Sequence, residues 1–264
     1  MTPAQPQFID VGLGAAGRRI AVIADAGRSP GLFWLSGFKS DMVSTKASAI
    51  ASYADAHGLA CTRFDYSGHG QSGGRFEDGT IGRWLEEAVQ VFRAETRGAQ
   101  IVIGSSMGGY IALLLLKHLM DAHPEDAMRI GALVLIAPAW DMTEELMWKE
   151  MPASAKAELD RTGVWLRPSN YGEPYPITRQ LIEEGRNHLL GRATWAPGRP
   201  VHIIHGLLDP DVPWEHTLDL ASFLVGDSVH VTAVPDGEHR LSRPEDLDLL
   251  FGVIGPLVQQ IQSR

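Results

Sequence analysis

One cysteine among 264 residues, Cys61, has nothing to pair with inside the chain, so no disulfide framework supports the fold and a reducing compartment suits it. Long apolar runs are missing as well. The longest, Ile111 to Leu116, falls far short of the roughly 20 residues that a membrane-spanning helix needs, so no integral membrane segment is expected. Positive charge is scarce: 23 Lys and Arg stand against 32 Asp and Glu, and the net charge is −9. The basic residues form nothing denser than the pair Arg18-Arg19, which argues against nucleic acid as a partner. The first residues carry no cationic stretch followed by an apolar one, so neither a signal nor a transit peptide is expected and the location read from the sequence is cytoplasmic. Internal repeats and low-complexity tracts are also absent.

What the chain does have is alternation of strand and helix patterns. Phe8 to Val11 and Arg19 to Ala24 read as opening strands, antiparallel to each other, and Gly31 to Leu35 as a third. A helix over Thr45 to Ala56 is stopped by His57-Gly58 and followed by a strand over Leu59 to Phe64. A helix over Thr80 to Thr96, a strand and helix over Gln100 to Leu116, and a strand over Arg129 to Ala137 come next. Pro200 to Gly206, Trp214 to Leu224, Val229 to Val234 and Glu245 to Gln262 complete the series as strand, helix, strand, helix. Such alternation predicts an α/β protein with a mainly parallel central sheet and helices on both faces, and with its active site at the carboxyl ends of the strands. About sixty residues between the strands ending near Ala137 and starting near Val201 break the pattern. They are rich in aromatic residues and methionine, among them Trp140, Met142, Leu146, Met147, Trp165, Tyr171 and Tyr175, with helical stretches near Thr143 to Glu150 and Ile177 to Leu190. They predict a small helical cap over residues 139–197, roofing an apolar pocket between core segments 1–138 and 198–264.

The candidate nucleophile comes from Gly104-Ser105-Ser106-Met107-Gly108, between the β-branched run Ile101-Val102-Ile103 and the apolar run that starts at Met107. Gly-x-Ser-x-Gly at a strand-to-helix turn lifts a serine hydroxyl above the sheet edge. It also crowds backbone against backbone two residues either side, where only a minimal side chain fits. That spacing selects Ser106; Ser105 at the apex would put Ile103 and Met107 at the crowded positions. Gly70-Gln71-Ser72-Gly73-Gly74 matches the same pattern, but it follows a polar Ser67-Gly68-His69 turn and leads into no helical run, so Ser72 is set aside.

A serine hydroxyl needs a base, and the base a carboxylate that fixes its tautomer. Sheets with this elbow supply them in the order serine, acid, histidine. Two carboxylates follow the strand Val201 to Ile204. Asp209 stands three residues after Gly206 and four before Pro213 and is the favoured acid; Asp211 is the alternative, or a cap for the helix that begins near Trp214. Of the later histidines, His216 falls in a helix and His230 at the start of an edge strand, whereas His239 falls in the loop after the last strand and is the expected base. His202 and His205 lack companions at metal-ligand spacing, and His205-Gly206 reads as a structural turn. Backbone N–H groups of Phe38 and Met107 are the candidate oxyanion donors.

Together, Arg63-Phe64-Asp65-Tyr66-Ser67-Gly68-His69-Gly70-Gln71-Ser72, Thr45-Lys46-Ala47, Gly104 to Gly109, Gly163-Val164-Trp165, His205-Gly206 with Asp209 and Val212-Pro213-Trp214, and Asp236 to Arg240 resemble the mitochondrial palmitoyl-protein thioesterase family of the α/β-hydrolase superfamily, also described as acyl-glucuronide esterases. Ser36 departs from the His or Gly often found at its position. The resemblance covers most of the chain. It implies an α/β-hydrolase fold, serine hydrolysis of esters and thioesters by Ser106, Asp209 and His239, no metal or organic cofactor, and a small-molecule or acylated-peptide substrate with an apolar acyl group. The missing transit segment fits a bacterial, cytoplasmic relative. A non-catalytic receptor on the same fold could lose any of these three side chains freely, and all three are present.

Overall fold

The computed structural model describes residues 5–14, 17–168, 173–226 and 229–263. Among these described residues there are ten strands and eight α-helices. The opening strands β1 (Gln7–Val11), β2 (Arg18–Asp25) and β3 (Arg28–Leu35) lead to α1 (Thr45–Ala56), β4 (Leu59–Phe64), α2 (Ile81–Glu95) and β5 (Gln100–Ser105). Then come α3 (Met107–Ala122), α4 (Pro124–Met128) and β6 (Ile130–Ile136). After a long connection, β9 (Val201–Gly206), α7 (Trp214–Phe223), β10 (Val229–Val234) and α8 (Pro244–Gln262) close the chain. The predicted helix Thr45 to Ala56 and strands Leu59 to Phe64 and Val229 to Val234 coincide with α1, β4 and β10.

The main sheet has the order β1-β2-β4-β3-β5-β6-β9-β10. Only β2 runs against its neighbours β1 and β4; the pairs from β4 through β10 are parallel. All six residues of β5 are buried, as a strand covered on both faces requires. Side-chain alternation divides the core in two. Phe33, Leu35, Val102, Leu133 and Leu135 face α2 and α3, while Leu32, Trp34, Ile101, Ile103 and Val134 face α1 and α8. Helix α3 is apolar nearly all round because it is buried nearly all round, from Met107 to Leu116. Helix α2 is amphipathic, and its N-cap Thr80 accepts the Arg83 N–H at 3.2 Å, a bond worth about 1 kcal/mol.

The connection from β6 to β9 holds more than the helices expected of it. A π-helical turn (Thr143–Trp148) leads to α5 (Ala153–Thr162), then to the antiparallel hairpin of β7 (Val164–Arg167) and β8 (Tyr175–Thr178), and then to α6 (Arg179–Gly185) with a 3-10 turn (Arg186–His188). The hairpin adds a pair of strands to the small helical cap read from the sequence, and α5 lies where no element was assigned. Both have a physical reason. Four-residue strands are too short to display a period, and α5 buries only Ala155 and Leu159, so it carries almost no apolar stripe. Tyr171 lies outside the described residues. Specific bonds hold this connection together and tie it to the core: within it Asp141 accepts the N–H groups of Leu190 and Gly191 at 2.7 and 3.0 Å, and from α3 Tyr110 Oη donates to the His188 carbonyl at 2.7 Å. Trp140 Nε1 donates to the His216 carbonyl at 2.8 Å, and Glu184 accepts the Gly82 N–H at 3.1 Å.

Candidate active site

The turn from β5 into α3 is made by Ser106, whose φ of 55° and ψ of −117° lie where few residues other than glycine go. Such a conformation costs about 1–3 kcal/mol and persists only where its surroundings enforce it. Here they do. A Cβ on Gly104 would sit 2.2 Å from the Gly108 carbonyl oxygen, and one on Gly108 would sit 2.0 Å from that of Leu35. The two glycines let β5, α3 and β3 close around the serine, and the Ser106 N–H is anchored on the Ile136 carbonyl at 2.8 Å. Ser105 is the buried last residue of β5, within the turn.

Facing Ser106 Oγ at 3.1 Å is His239 Nε2, and His239 Nδ1 lies 2.7 Å from Asp209 Oδ2. A carboxylate only accepts, so Nδ1 carries the proton and Nε2 offers its lone pair to the serine hydroxyl. The Asp209 side chain has no exposed surface, and its other oxygen accepts the N–H groups of Asp211 and Val212 at 2.8 and 2.9 Å. Asp211 therefore stands beside the acid, and α7 begins after Pro213 with no side-chain cap from it. His205, fully buried, braces the same loop. Its Nε2 donates to the Val212 carbonyl at 3.0 Å and its Nδ1 accepts from Thr217 Oγ1 at 2.8 Å, so it is structural, as its turn suggested. His216 is also locked inside, stacked on Trp140 and donating to its carbonyl, and His230 stacks on His202 across β9 and β10 at the sheet edge.

The loops that present Asp209 and His239 touch backbone to backbone. The Leu208 N–H donates to the Gly237 carbonyl at 2.9 Å, and a Cβ on Gly206 would lie 2.3 Å from that oxygen. Lys46, at the start of α1, fastens the histidine loop from the other side: Nζ donates to the Arg240 carbonyl and to Ser242 Oγ. Burial, reinforced by the Arg240 charge, pushes its amine down to about 8. Sequence reasoning gave Lys46 no role, because nothing local ties position 46 to position 240.

Met107 opens α3, so its N–H is one of those that a helix start leaves without an intrahelical partner. Gly37 and Phe38 run past the serine closely enough that a Cβ on Gly37 would lie 3.3 Å from the Ser105 carbonyl oxygen and 3.5 Å from Ser106 Cβ. Ser36 closes this loop by accepting from Trp34 Nε1 at 2.9 Å and donating to the Asp41 carbonyl at 3.1 Å. A cavity of about 700 Å³ opens over Ser106 and His239. Met142, Leu146, Met147 and Tyr175 from the β6–β9 connection form its apolar wall, and Lys39, Lys46, Arg167, Glu173, Asp211 and Arg240 contribute charge.

Asp209, Asp211 and His239 are the one group of three or more potential metal ligands among the described residues, with donor atoms within 4.8 Å of one another. Asp209 Oδ2 and His239 Nδ1 are already bonded to each other, so a cation would have to break that pair. Among the described residues no helix is long and apolar enough to cross a membrane.

Comparison with known proteins places this geometry in context. Residues 33–184 match the family model described as "Serine aminopeptidase, S33". The chain is 34% identical to the mitochondrial palmitoyl-protein thioesterase ABHD10 of Pongo abelii, over 90% of this chain and 76% of that protein, and 33% identical to its Homo sapiens counterpart with the same coverage. Among solved structures, a putative hydrolase from Agrobacterium vitis S4 superimposes with a TM-score of 0.93 at 42% identity, covering 97% of this chain and 99% of that one. The alpha/beta hydrolase domain-containing protein 10 from mouse does so with a TM-score of 0.83 at 29% identity, again over 97% and 99%.

Proposed function

Because the chain belongs to the palmitoyl-protein thioesterase ABHD10 family of serine α/β-hydrolases, we propose that it cleaves acyl esters or thioesters through Ser106, His239 and Asp209, S-acylated cysteine being the substrate class favoured by its relatives' name. The observation that carries this reading is the bridging imidazole, 3.1 Å from Ser106 Oγ and 2.7 Å from Asp209. His239 Nε2 takes the serine proton as Oγ attacks the acyl carbonyl, and Asp209 holds the imidazolium that forms. The Phe38 and Met107 N–H groups receive the oxyanion. Collapse of the tetrahedral adduct breaks the bond to sulfur or oxygen, the leaving group takes the proton from His239, and Ser106 keeps the acyl group. Water, deprotonated by the same imidazole, then attacks the acyl-enzyme and releases the carboxylic acid. Met142, Leu146 and Met147 offer the acyl chain an apolar wall. A reducing compartment such as the cytoplasm suits the lone Cys61, whose buried thiol is pushed up to about 12 and kept inert.

The test is hydrolysis of an S-palmitoyl-cysteine peptide beside a short-chain oxyester, by wild type and by Ser106→Ala. Turnover of the palmitoyl peptide that vanishes in the variant supports the whole reading. Turnover of the short ester alone keeps the serine mechanism and replaces the substrate class with small oxyesters. Turnover that survives in Ser106→Ala overturns the nucleophile assignment.

A further inference from the structure

Besides His205 and His216, the loop Asp65-Tyr66-Ser67-Gly68-His69-Gly70 holds a further buried histidine that the reaction scheme does not use. His69 Nδ1 lies 3.1 Å from the Ser67 carbonyl, which can only accept, so Nδ1 bears the proton and Nε2 is left as an acceptor. That acceptor receives the Lys39 N–H at 3.1 Å. Lys39 directly follows Phe38, and it is held at a φ of 58°, a left-handed conformation that costs a residue with a side chain about 1–2 kcal/mol. The turn is closed by the Ser40 N–H on the Gly37 carbonyl at 3.1 Å and anchored further on by the Met42 N–H on Asp65 Oδ1 at 2.7 Å. Loop 65–70 therefore grips the candidate oxyanion loop at two points, and His69 supplies the one next to Phe38.

We propose that His69 is a positioning residue for the oxyanion hole, holding the Lys39 N–H so that the preceding Phe38 N–H stays aimed at the space above Ser106. The proposal rests on the reading of Ser106 and Phe38 given above. Without the Nε2 acceptor, the left-handed Lys39 conformation loses the bond on its own N–H, and the turn relaxes toward right-handed backbone one residue from the donor. The surroundings keep the acceptor intact. His69 sits among the rings of Phe38, Phe76 and Trp84, and burial lowers its pKa to about 4, so it remains neutral in neutral solution. The glycines beside it are required for its placement. Gly68 and Gly70 have φ of 73° and 46°, and a Cβ would meet Phe76 Cα at 2.6 Å or Asp65 Oδ2 at 2.1 Å respectively. This accounts for Gly-His-Gly in a segment whose own Gly-x-Ser-x-Gly match carries no nucleophile.

His69→Phe keeps the ring packing and removes the acceptor; His69→Gln restores an acceptor. We expect His69→Phe to lower kcat about 10- to 100-fold, below the 10²–10³ of losing an oxyanion donor outright, with KM within twofold. It should weaken a trifluoromethyl ketone, which forms the anionic adduct on Ser106, by a similar factor while leaving the carboxylic acid product's affinity unchanged. His69→Gln should recover most of both losses. A kcat within twofold of wild type in His69→Phe overturns the proposal, as does a fall in kcat that leaves the ketone affinity untouched, the signature of a merely structural role. Should His69→Phe not fold, His69→Asn, too short to reach Lys39, takes its place with the same two criteria. Amide exchange at Lys39 in the wild type gives an independent check: protection is expected, and exchange at the rate of an open amide overturns the clamp. Ser106→Ala run in parallel separates the failures. If it retains turnover, the serine reading falls and the proposal with it; if it is inactive while His69→Phe is unaffected, only the clamp is wrong.

Discussion

Ser72 and Ser106 lie in stretches that match the same five-letter pattern, and they have nothing else in common. Ser72 has spent its hydroxyl in both directions: Oγ donates to the Asp65 carbonyl at 2.6 Å and accepts the Ala21 N–H at 2.8 Å. It fastens the loop after β4 onto β2. Ser106 stands on a left-handed turn between a buried strand and a buried helix, with its hydroxyl against an imidazole. The glycines differ too. Both of those around Ser106 are compelled by backbone contacts near 2 Å, whereas around Ser72 Gly70 makes room for the Asp65 side chain and a Cβ on Gly74 would meet only ordinary van der Waals contact at 3.4 Å. The pattern is chemical only where flanking elements force the turn.

The comparison breaks most visibly in activity. Ser106→Ala should abolish hydrolysis, a loss of about 10⁴-fold or more, with little effect on folding. Ser72→Ala should keep kcat within a few-fold and cost about 1–3 kcal/mol in urea unfolding, because it leaves the Ala21 N–H unpaired. Next, Asp209→Asn should lower kcat by roughly 10³–10⁴-fold, since an amide can present the imidazole with a donor and so favour the wrong tautomer, while Asp211→Asn, beside the pair but outside it, should change kcat less than about threefold. Third, Gly108→Ala should destabilise the fold by about 3 kcal/mol or more, against about 1 kcal/mol for Gly74→Ala, where only the φ of 89° is unfavourable. Thermal or urea unfolding reads both.

The smallest effect separates the Ser72 loop's contribution to stability from the site's activity. Burial lowers His69 and His216 to about 4, and they are only 5% and 9% exposed. An unfolded histidine titrates near 6.5, so between about 4 and 6.5 the unfolded chain binds more protons. Their contribution to stability is therefore present above about pH 6.5 and is lost as pH falls toward 4. At pH 5 each should have lost about 2 kcal/mol relative to pH 7.5. Urea unfolding at the two pH values measures the sum, and His69→Gln should shrink the difference by about half.

Most of the sheet was legible because buried parallel strands such as Ile101-Val102-Ile103 announce themselves as apolar, β-branched runs, and α1 because a glycine stops it. The meeting of Ser106, Asp209 and His239 was legible through chain order combined with strand ends, which needs the topology but no atomic detail. The hairpin of β7 and β8 and the helix α5 were not, since their sequences are short or bury little. Lys46 and His69 were out of reach for another reason. Their partners, Arg240 and Lys39, lie 194 and 30 residues away, and only the folded backbone reveals that an amine or an imidazole ends on a particular carbonyl or N–H.

The chain leaves the sheet at the end of β6 and returns at β9, its hydrogen-bonded neighbour. Everything between departs and arrives through adjacent doorways, and none of Ser106, Asp209 and His239 lives inside. The stretch therefore resembles an exchangeable cartridge. A transplanted version that preserves the moorings at Tyr110, Trp140 and Glu184 could set a new wall over an unaltered Ser106, so that, on the function proposed above, substrate preference and chemistry are inherited, or engineered, as separate parts.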